Sequence, residues 1–183
     1  MKETAGLLFM ALLGACSADK ASGTKVGANT VTFNDFEAGG GWSNDPGRND
    51  PGLLDKGRAH SGQYALKADK DHEFSLTFDM ALGRIRTHKF KTLHLEAWAF
   101  MPNDKATGVL VLQVMEPSTN QQLYGDGLKL RDAVKSYNQW VPISKDFTLP
   151  DNITLAQHLR LSLWRADAGE EVLVDDVHLS MID

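Results

Sequence analysis

Leu93-His94-Leu95-Glu96-Ala97-Trp98-Ala99-Phe100 alternates without a break. Leu93, Leu95, Ala97 and Ala99 fall on one side, and His94, Glu96, Trp98 and Phe100 on the other. Side chains of a strand point alternately to its two faces, so this period of two predicts a strand with one apolar and one mixed face. Met101-Pro102-Asn103-Asp104 closes it with turn chemistry. The same signature recurs outward from this segment. Leu159 to Trp164 sets Leu159, Leu161 and Leu163 against Arg160, Ser162 and Trp164, and Phe74 to Phe78 and Thr30 to Phe33 alternate as well. Val109 to Met115 is a continuous apolar run broken by Gln113, with Tyr124 to Leu130 as its expected hairpin partner. Tyr64 to Ala68 follows a Ser61-Gly62 turn, and Val172 to Met181 is the last strand. Trp140 to Ile143 and Phe147 to Pro150 read as short extended pieces. Pro142 suits an edge, since it cannot donate to a ladder. Helical candidates are short, Leu130 to Tyr137 and Leu155 to His158. Many short strands separated by turns predict an all-β chain, a sandwich or barrel.

The N-terminus reads differently. Ala5 to Leu13 is apolar and is followed by Gly14-Ala15-Cys16, the only cysteine. The run is shorter than the ~20 residues a membrane-spanning helix needs and has the anatomy of a signal peptide. Leu13-Gly14-Ala15-Cys16 resembles the lipobox of bacterial lipoproteins. The resemblance implies a signal peptide over 1–15, lipidation of Cys16, a tether over 16–30, and a folded domain over 31–183. It places the protein, lipid-anchored, at the outer membrane or cell surface, with Ser17 rather than an acid after the cysteine. A lone cysteine forms no intramolecular disulfide. The net charge of −5, without a Lys/Arg cluster, argues against a nucleic-acid partner. The domain is expected to be monomeric.

Three phrases carry a second resemblance: Phe33-Asn34-Asp35-Phe36-Glu37 followed by a Trp; Ala59-His60-Ser61-Gly62-Gln63-Tyr64-Ala65-Leu66; and Val172-Leu173-Val174-Asp175-Asp176-Val177-His178-Leu179. Together they resemble the galactose-binding-like β-jelly-rolls, which include many carbohydrate-binding modules of bacterial glycoside hydrolases. The resemblance implies a two-sheet antiparallel β-sandwich whose first and last strands are neighbours. It also implies a structural calcium at their edge, with Glu37 and Asp175 as ligands, Asp176 as the alternate, and a carbonyl from the His60-Ser61 turn. Calcium takes several hard oxygens, which suits that set. Asp175 merits scrutiny on its own account, because unbroken alternation places it on one face with Leu173, Val177 and Leu179. A carboxylate there is paired, metal-bound or protonated, unless that face is open to solvent.

A sugar has apolar C–H faces and a hydroxyl rim, so an aromatic ring beside a polar side chain matches both. If the mixed faces share one sheet, Trp98, Trp164, Glu96, Arg160 and Gln113 line a groove that binds a poly- or oligosaccharide. The competing reading makes both tryptophans core, leaving Trp42 and Tyr124 in glycine-rich segments as loop-borne alternatives. No nucleophile elbow, His-Glu-x-x-His helix or phosphate loop occurs. A non-catalytic carbohydrate-binding surface lipoprotein is therefore the expectation. A structural or protein-interaction domain of the envelope is the main rival, and a small polysaccharide lyase or hydrolase a third reading.

Overall fold

The computed structural model describes residues 27–38, 40–44, 50–167 and 169–182. The signal segment 1–15, Cys16 and most of the tether to Thr30 lie outside the described residues.

Two antiparallel sheets face each other. Sheet A holds β1 (Thr30–Asn34), β3 (Leu54–Lys56), β4 (Tyr64–Ala68), β6 (Thr92–Phe100), β9 (Trp140–Thr148) and β11 (Val172–Met181). Its order is β3-β4-β11-β6-β9, with β1 also on β11. Sheet B holds β2 (Trp42–Ser43), β5 (Phe74–Ala81), β7 (Val109–Glu116), β8 (Gln121–Lys129) and β10 (His158–Trp164), in the order β2-β5-β10-β7-β8. The expected two-sheet antiparallel β-sandwich is the fold.

The alternation does the work. Leu93, Leu95, Ala97 and Ala99 of β6 point inward against Leu159, Leu161 and Leu163 of β10 and Leu110, Leu112 and Val114 of β7, all buried. Burying one such leucine stabilises by ~1.5–3 kcal/mol, and truncating one to alanine costs ~2–5 kcal/mol once the cavity is counted. Pro142 sits on β9, the strand at the end of sheet A, where its missing N–H does no harm. The two extended pieces expected around it are one continuous strand. Lys145 of β9 ties the two sheets at that open side, donating to Asp126 Oδ1 and the Gly127 carbonyl, both at 2.8 Å.

First and last strands are neighbours, as the closing phrase implied. Thr32, Phe33 and Asn34 pair with Leu179, His178 and Val177. The first half of β11 pairs instead with β4, Val172 to Val174 against Ala68 to Leu66, while β6 runs along the other side. Between these partners the register with β6 shifts, and Asp176 adopts a left-handed φ of 49°. This bulge corrects the unbroken alternation expected of the strand. Val172 and Val174 face the core before it, Val177, Leu179 and Met181 after it, so Asp175 does not share a face with Val177 and Leu179. An extra residue in one strand reverses every later side chain.

Among the described residues the α-helices are single turns, α1 (Leu82–Ile85) and α2 (Leu130–Ala133), with a 3-10 turn at Pro51–Leu53. The helix expected to run to Tyr137 stops because Val134 is already extended, with φ −89° and ψ 118°. Leu155 to His158 is not helical, and His158 opens β10.

Candidate functional site

The sandwich exposes two broad faces, and the residues expected to form one groove are divided between them. Glu96 and Trp98 of β6 lie on the outer face of sheet A, whereas Gln113 of β7 and Arg160 and Trp164 of β10 lie on the outer face of sheet B. The single groove is therefore corrected. Inward alternation in both sheets is the cause: each mixed face turns to solvent, and the whole core separates them. Neither Trp98 nor Trp164 is core.

On sheet B, Phe74 and Trp164 lie with ring planes 15° apart and centroids 6.2 Å apart. Phe74 is 52% exposed. They come together because Phe74 opens β5 and Trp164 closes β10, and the two are register partners. Trp164 is fixed at its edge by donating Nε1–H to Glu73 Oε1 at 3.1 Å. Beside the pair runs a groove of about 400 Å³, with Val109, Val111, Gln113, Gln122 and Lys129 on it. Gly125 and Gly127 leave its far side low. A side chain at either would start 2.4 Å from the Gln122 or Val109 side chain. Gln113 Nε2 donates to Gln122 Oε1 at 2.5 Å, giving a fixed amide pair on the floor. Arg160 shares this face but stands away from the groove, donating to Asp79 Oδ2 at 2.6 Å and Asn120 Oδ1 at 3.2 Å. Asp126, at the margin, has its carboxyl pushed up by burial, but Lys145 and the Gly127 amide outweigh this and hold it below its usual value.

On sheet A the central feature is a clasped loop. His60 and Ser61 precede β4 and lie over the bulge of β11. The His60 and Ser61 amides donate to Asp175 Oδ2 at 2.8 and 3.1 Å, and the Asp176 amide donates to Asp175 Oδ1 at 2.8 Å. Asp176 accepts from Ser61 Oγ at 2.7 Å and pairs with His60 Nδ1 at 2.6 Å. Glu37, just after β1, takes the Gln63 and Tyr64 amides on Oε1, both at 2.7 Å. Gly62, at φ 62°, lets that carboxylate approach, since a Cβ there would stand 2.4 Å from the Glu37 carboxyl carbon. Clasped in this way, the His60 ring stacks on Trp98, 13° from parallel at 3.8 Å.

Asp175 is fully buried. Burial pushes its carboxyl up to about 6, against the three amides and with help from the nearby Asp176 charge. Three main-chain N–H groups are its immediate compensation. For calcium, the four nominated residues Glu37, Ser61, Asp175 and Asp176 do gather around one loop. The loop turns N–H groups, rather than a carbonyl, toward Asp175. Among the described residues, no group of three or more acidic, His or Cys side chains is placed to hold a metal. Two carboxylates already holding amides are a lean set for an ion that takes six to eight oxygens, so main-chain carbonyls would supply most of the shell.

The loop-borne alternatives are corrected. Trp42 is core, 5% exposed, edge-on to Phe36, with its Nε1–H donated to Thr32 Oγ1 at 3.2 Å. Tyr124 pairs with Val114 across the β7–β8 ladder and leans on the core rather than on the sheet B groove. The residues missed were Phe74 and His60. Phe74 begins a strand whose alternation was legible, so its outward side was available to inspection. His60 stacks on Trp98 through a contact distant in sequence, for which no local signal exists.

The fold has solved counterparts. The CBM22-1 xylan-binding domain of Paenibacillus barcinonensis Xyn10C superposes with a TM-score of 0.53 at 16% identity, over 85% of this chain and 96% of that one. The C-terminal family 22 carbohydrate-binding module of Clostridium thermocellum Xyn10B gives 0.56 at 16%, over 84% and 94%. The tandem CBM22-1-CBM22-2 domain of the Paenibacillus protein gives 0.60 at 18%, over 91% of this chain and 52% of the tandem. The fold is that of the family 22 carbohydrate-binding modules. No family model and no curated protein matches the chain by sequence. At these identities the likeness concerns the sandwich, not its side chains.

Proposed function

We propose that this chain is a non-catalytic carbohydrate-binding module that lays a polysaccharide across the outer face of sheet B. The observation that carries the reading is the exposed Phe74–Trp164 pair beside an open groove. Two nearly parallel rings offer apolar faces to the C–H faces of consecutive sugars, while the Gln113–Gln122 amides and the Lys129 ammonium meet hydroxyls. Groove volume is within the ~300–1,000 Å³ of small-ligand sites. Glycoside hydrolysis generally needs two acting carboxyls, and among the described residues lining this groove Asp126 alone is acidic and is ion-paired to Lys145. Solved domains of the same fold bind xylan, which makes xylan the first chain to try.

Affinity electrophoresis and calorimetry with xylan, mannan, β-glucan and chitin test it. Binding to at least one, reduced at least about tenfold (~1.4 kcal/mol) in Trp164→Ala and in Phe74→Ala, is the expected result. No binding across the panel, or binding indifferent to both substitutions, overturns it.

Two further parts of the reading are proposals of their own. The chain is lipid-anchored through Cys16 at the outer membrane or cell surface, a reading supported by the lipobox-like Leu13-Gly14-Ala15-Cys16. Calcium is bound at the junction of β1 and β11 by Glu37 and Asp175, supported by the burial of Asp175 and by the absence, among the described residues, of any Lys or Arg that hydrogen-bonds to it. When bound, the ion would supply the positive charge that this carboxylate lacks.

A further inference from the structure

The outer face of sheet A carries a groove of about 860 Å³ that the reading above does not use. It crosses β1, β11, β6 and β9, with Asp35 and the His60-Ser61 loop at its margin. One wall is the His60–Trp98 stack, held in place by Asp176. Opposite stands Phe33, edge-on to His178 at 6.3 Å. Between them lie the carboxylates of Asp35, Glu96 and Asp176, beside Ser61, Ser144 and the His178 imidazole. No Lys or Arg lies among the described residues lining the groove. Glu96 is 59% exposed, and its nearest basic neighbours are the imidazoles of His94, through Nε2, and His178, through Nδ1, each 3.6 Å away. That separation exceeds a hydrogen bond, so its oxygens are open to donors from a ligand.

We propose that this face is a second binding site, for a glycan that carries protonated amino groups, such as a chain of glucosamine units. The pairing of aromatic walls with carboxylates decides the class. Rings beside a flat sheet suit pyranose C–H faces, and a cation near an indole gains from the ring's negative face as well. The carboxylates set the sign: a uronic-acid chain is repelled, a neutral chain offers Asp35 and Glu96 no ammonium, and an ammonium-bearing sugar satisfies both parts of the site. A basic peptide meets the carboxylates but has no ring-shaped apolar face for Trp98 and Phe33. The site does not depend on the sheet B reading, because the two faces share no lining residue.

The test is calorimetry of the full chain with a glucosamine hexamer at about pH 6, where amines are protonated, beside the N-acetylglucosamine hexamer, xylohexaose and oligolysine. The expected result is binding of the glucosamine hexamer, weakened at least about tenfold in Asp35→Asn/Glu96→Gln and by roughly 0.3 M salt, and unchanged in Trp164→Ala. Both substitutions are on solvent-facing side chains and keep their shape, so an unchanged melting curve confirms that folding is intact. Failure to bind the glucosamine hexamer, equal binding of the acetylated hexamer, equal binding of oligolysine, or indifference to the double substitution each overturns the proposal. Xylohexaose binding that is lost in Trp164→Ala and kept in the double variant reports separately on sheet B.

Discussion

Replacing Asp176 separates two things that one residue does. It occupies a left-handed backbone position at φ 49°, and its carboxylate accepts from Ser61 Oγ and pairs with His60 Nδ1. Asp176→Gly keeps the backbone position freely and removes the carboxylate. Asp176→Ala removes the carboxylate and puts a Cβ where an L-residue is strained. Each lost hydrogen bond, on side chains that are 20–28% exposed, is worth ~0.5–1.5 kcal/mol net, so the clasp contributes ~1–3 kcal/mol. Left-handed strain is ~1 kcal/mol for a residue without a helpful side chain, and glycine escapes it. The glycine variant should therefore lose ~1–3 kcal/mol and the alanine variant ~2–4 kcal/mol. In a domain of this size these correspond to drops in melting temperature of roughly 2–12 °C and 4–16 °C. Calorimetric melts of both variants, together with a double-mutant cycle against His60→Ala, measure the two effects. The cycle should return a coupling of ~1 kcal/mol between Asp176 and His60. Equal melting temperatures for glycine and alanine would refute the strain argument, and a coupling of zero would refute the clasp.

Asp69, in the turn after β4, has its carboxyl pushed up by burial but held down to about 2 by Lys67, His72 and the Asp71 amide. A folded value below the ordinary 3.8 means its stabilisation is present above about pH 4 and is lost as pH falls through about 2. Urea unfolding of wild type and Asp69→Asn should therefore differ at neutral pH and converge in that acid window. If Cys16 carries the proposed lipid, Cys16→Ser should move the protein from the membrane to the soluble fraction on fractionation and remove the lipid adduct from its mass. If calcium is bound, adding EDTA lowers the melting temperature and adding calcium restores it, following RT ln(1 + [L]/Kd), whereas Asp175→Asn melts identically with and without the chelator.

The legible part of the fold was its periodicity. β4 and β11 have the bounds read from alternation and turn residues, and β6, β7 and β10 differ by one residue at an end. β6 and β10 are half-buried, so polarity along them largely reports the face. The adjacency of the two chain ends was legible only through resemblance, since pairing β1 with β11 spans nearly the whole domain. Arrangement of the site was less legible for a physical reason. Periodicity says that Trp98 and Trp164 each face away from the apolar side of a strand. It does not say which sheet each strand joins, and strands of opposite sheets send their mixed faces in opposite directions. Trp42 shows the complementary error. Glycines around it suggested an exposed loop, but its Nε1–H finds Thr32 Oγ1 inside the sandwich, which removes the cost of burying it.

The bulge at Asp175–Asp176 explains why the closing strand misled in its faces while keeping its place. β11 exchanges partners along one side, from β4 to β1, while β6 stays continuous on the other. One residue placed left-handed at the exchange lets both halves keep apolar side chains inward. Without it, either Val172 and Val174 or Val177 and Leu179 would turn to the outer face. The residue expelled by this adjustment is a carboxylate, and it is buried outside the core under the His60-Ser61 loop rather than in solvent. That loop in turn carries the imidazole that stacks on Trp98. A local irregularity required by the exchange of partners thus fixes the wall of the sheet A groove. The acidic groove and the bulge should therefore be disturbed together by any substitution that restores regular alternation to β11, such as deletion of Asp176.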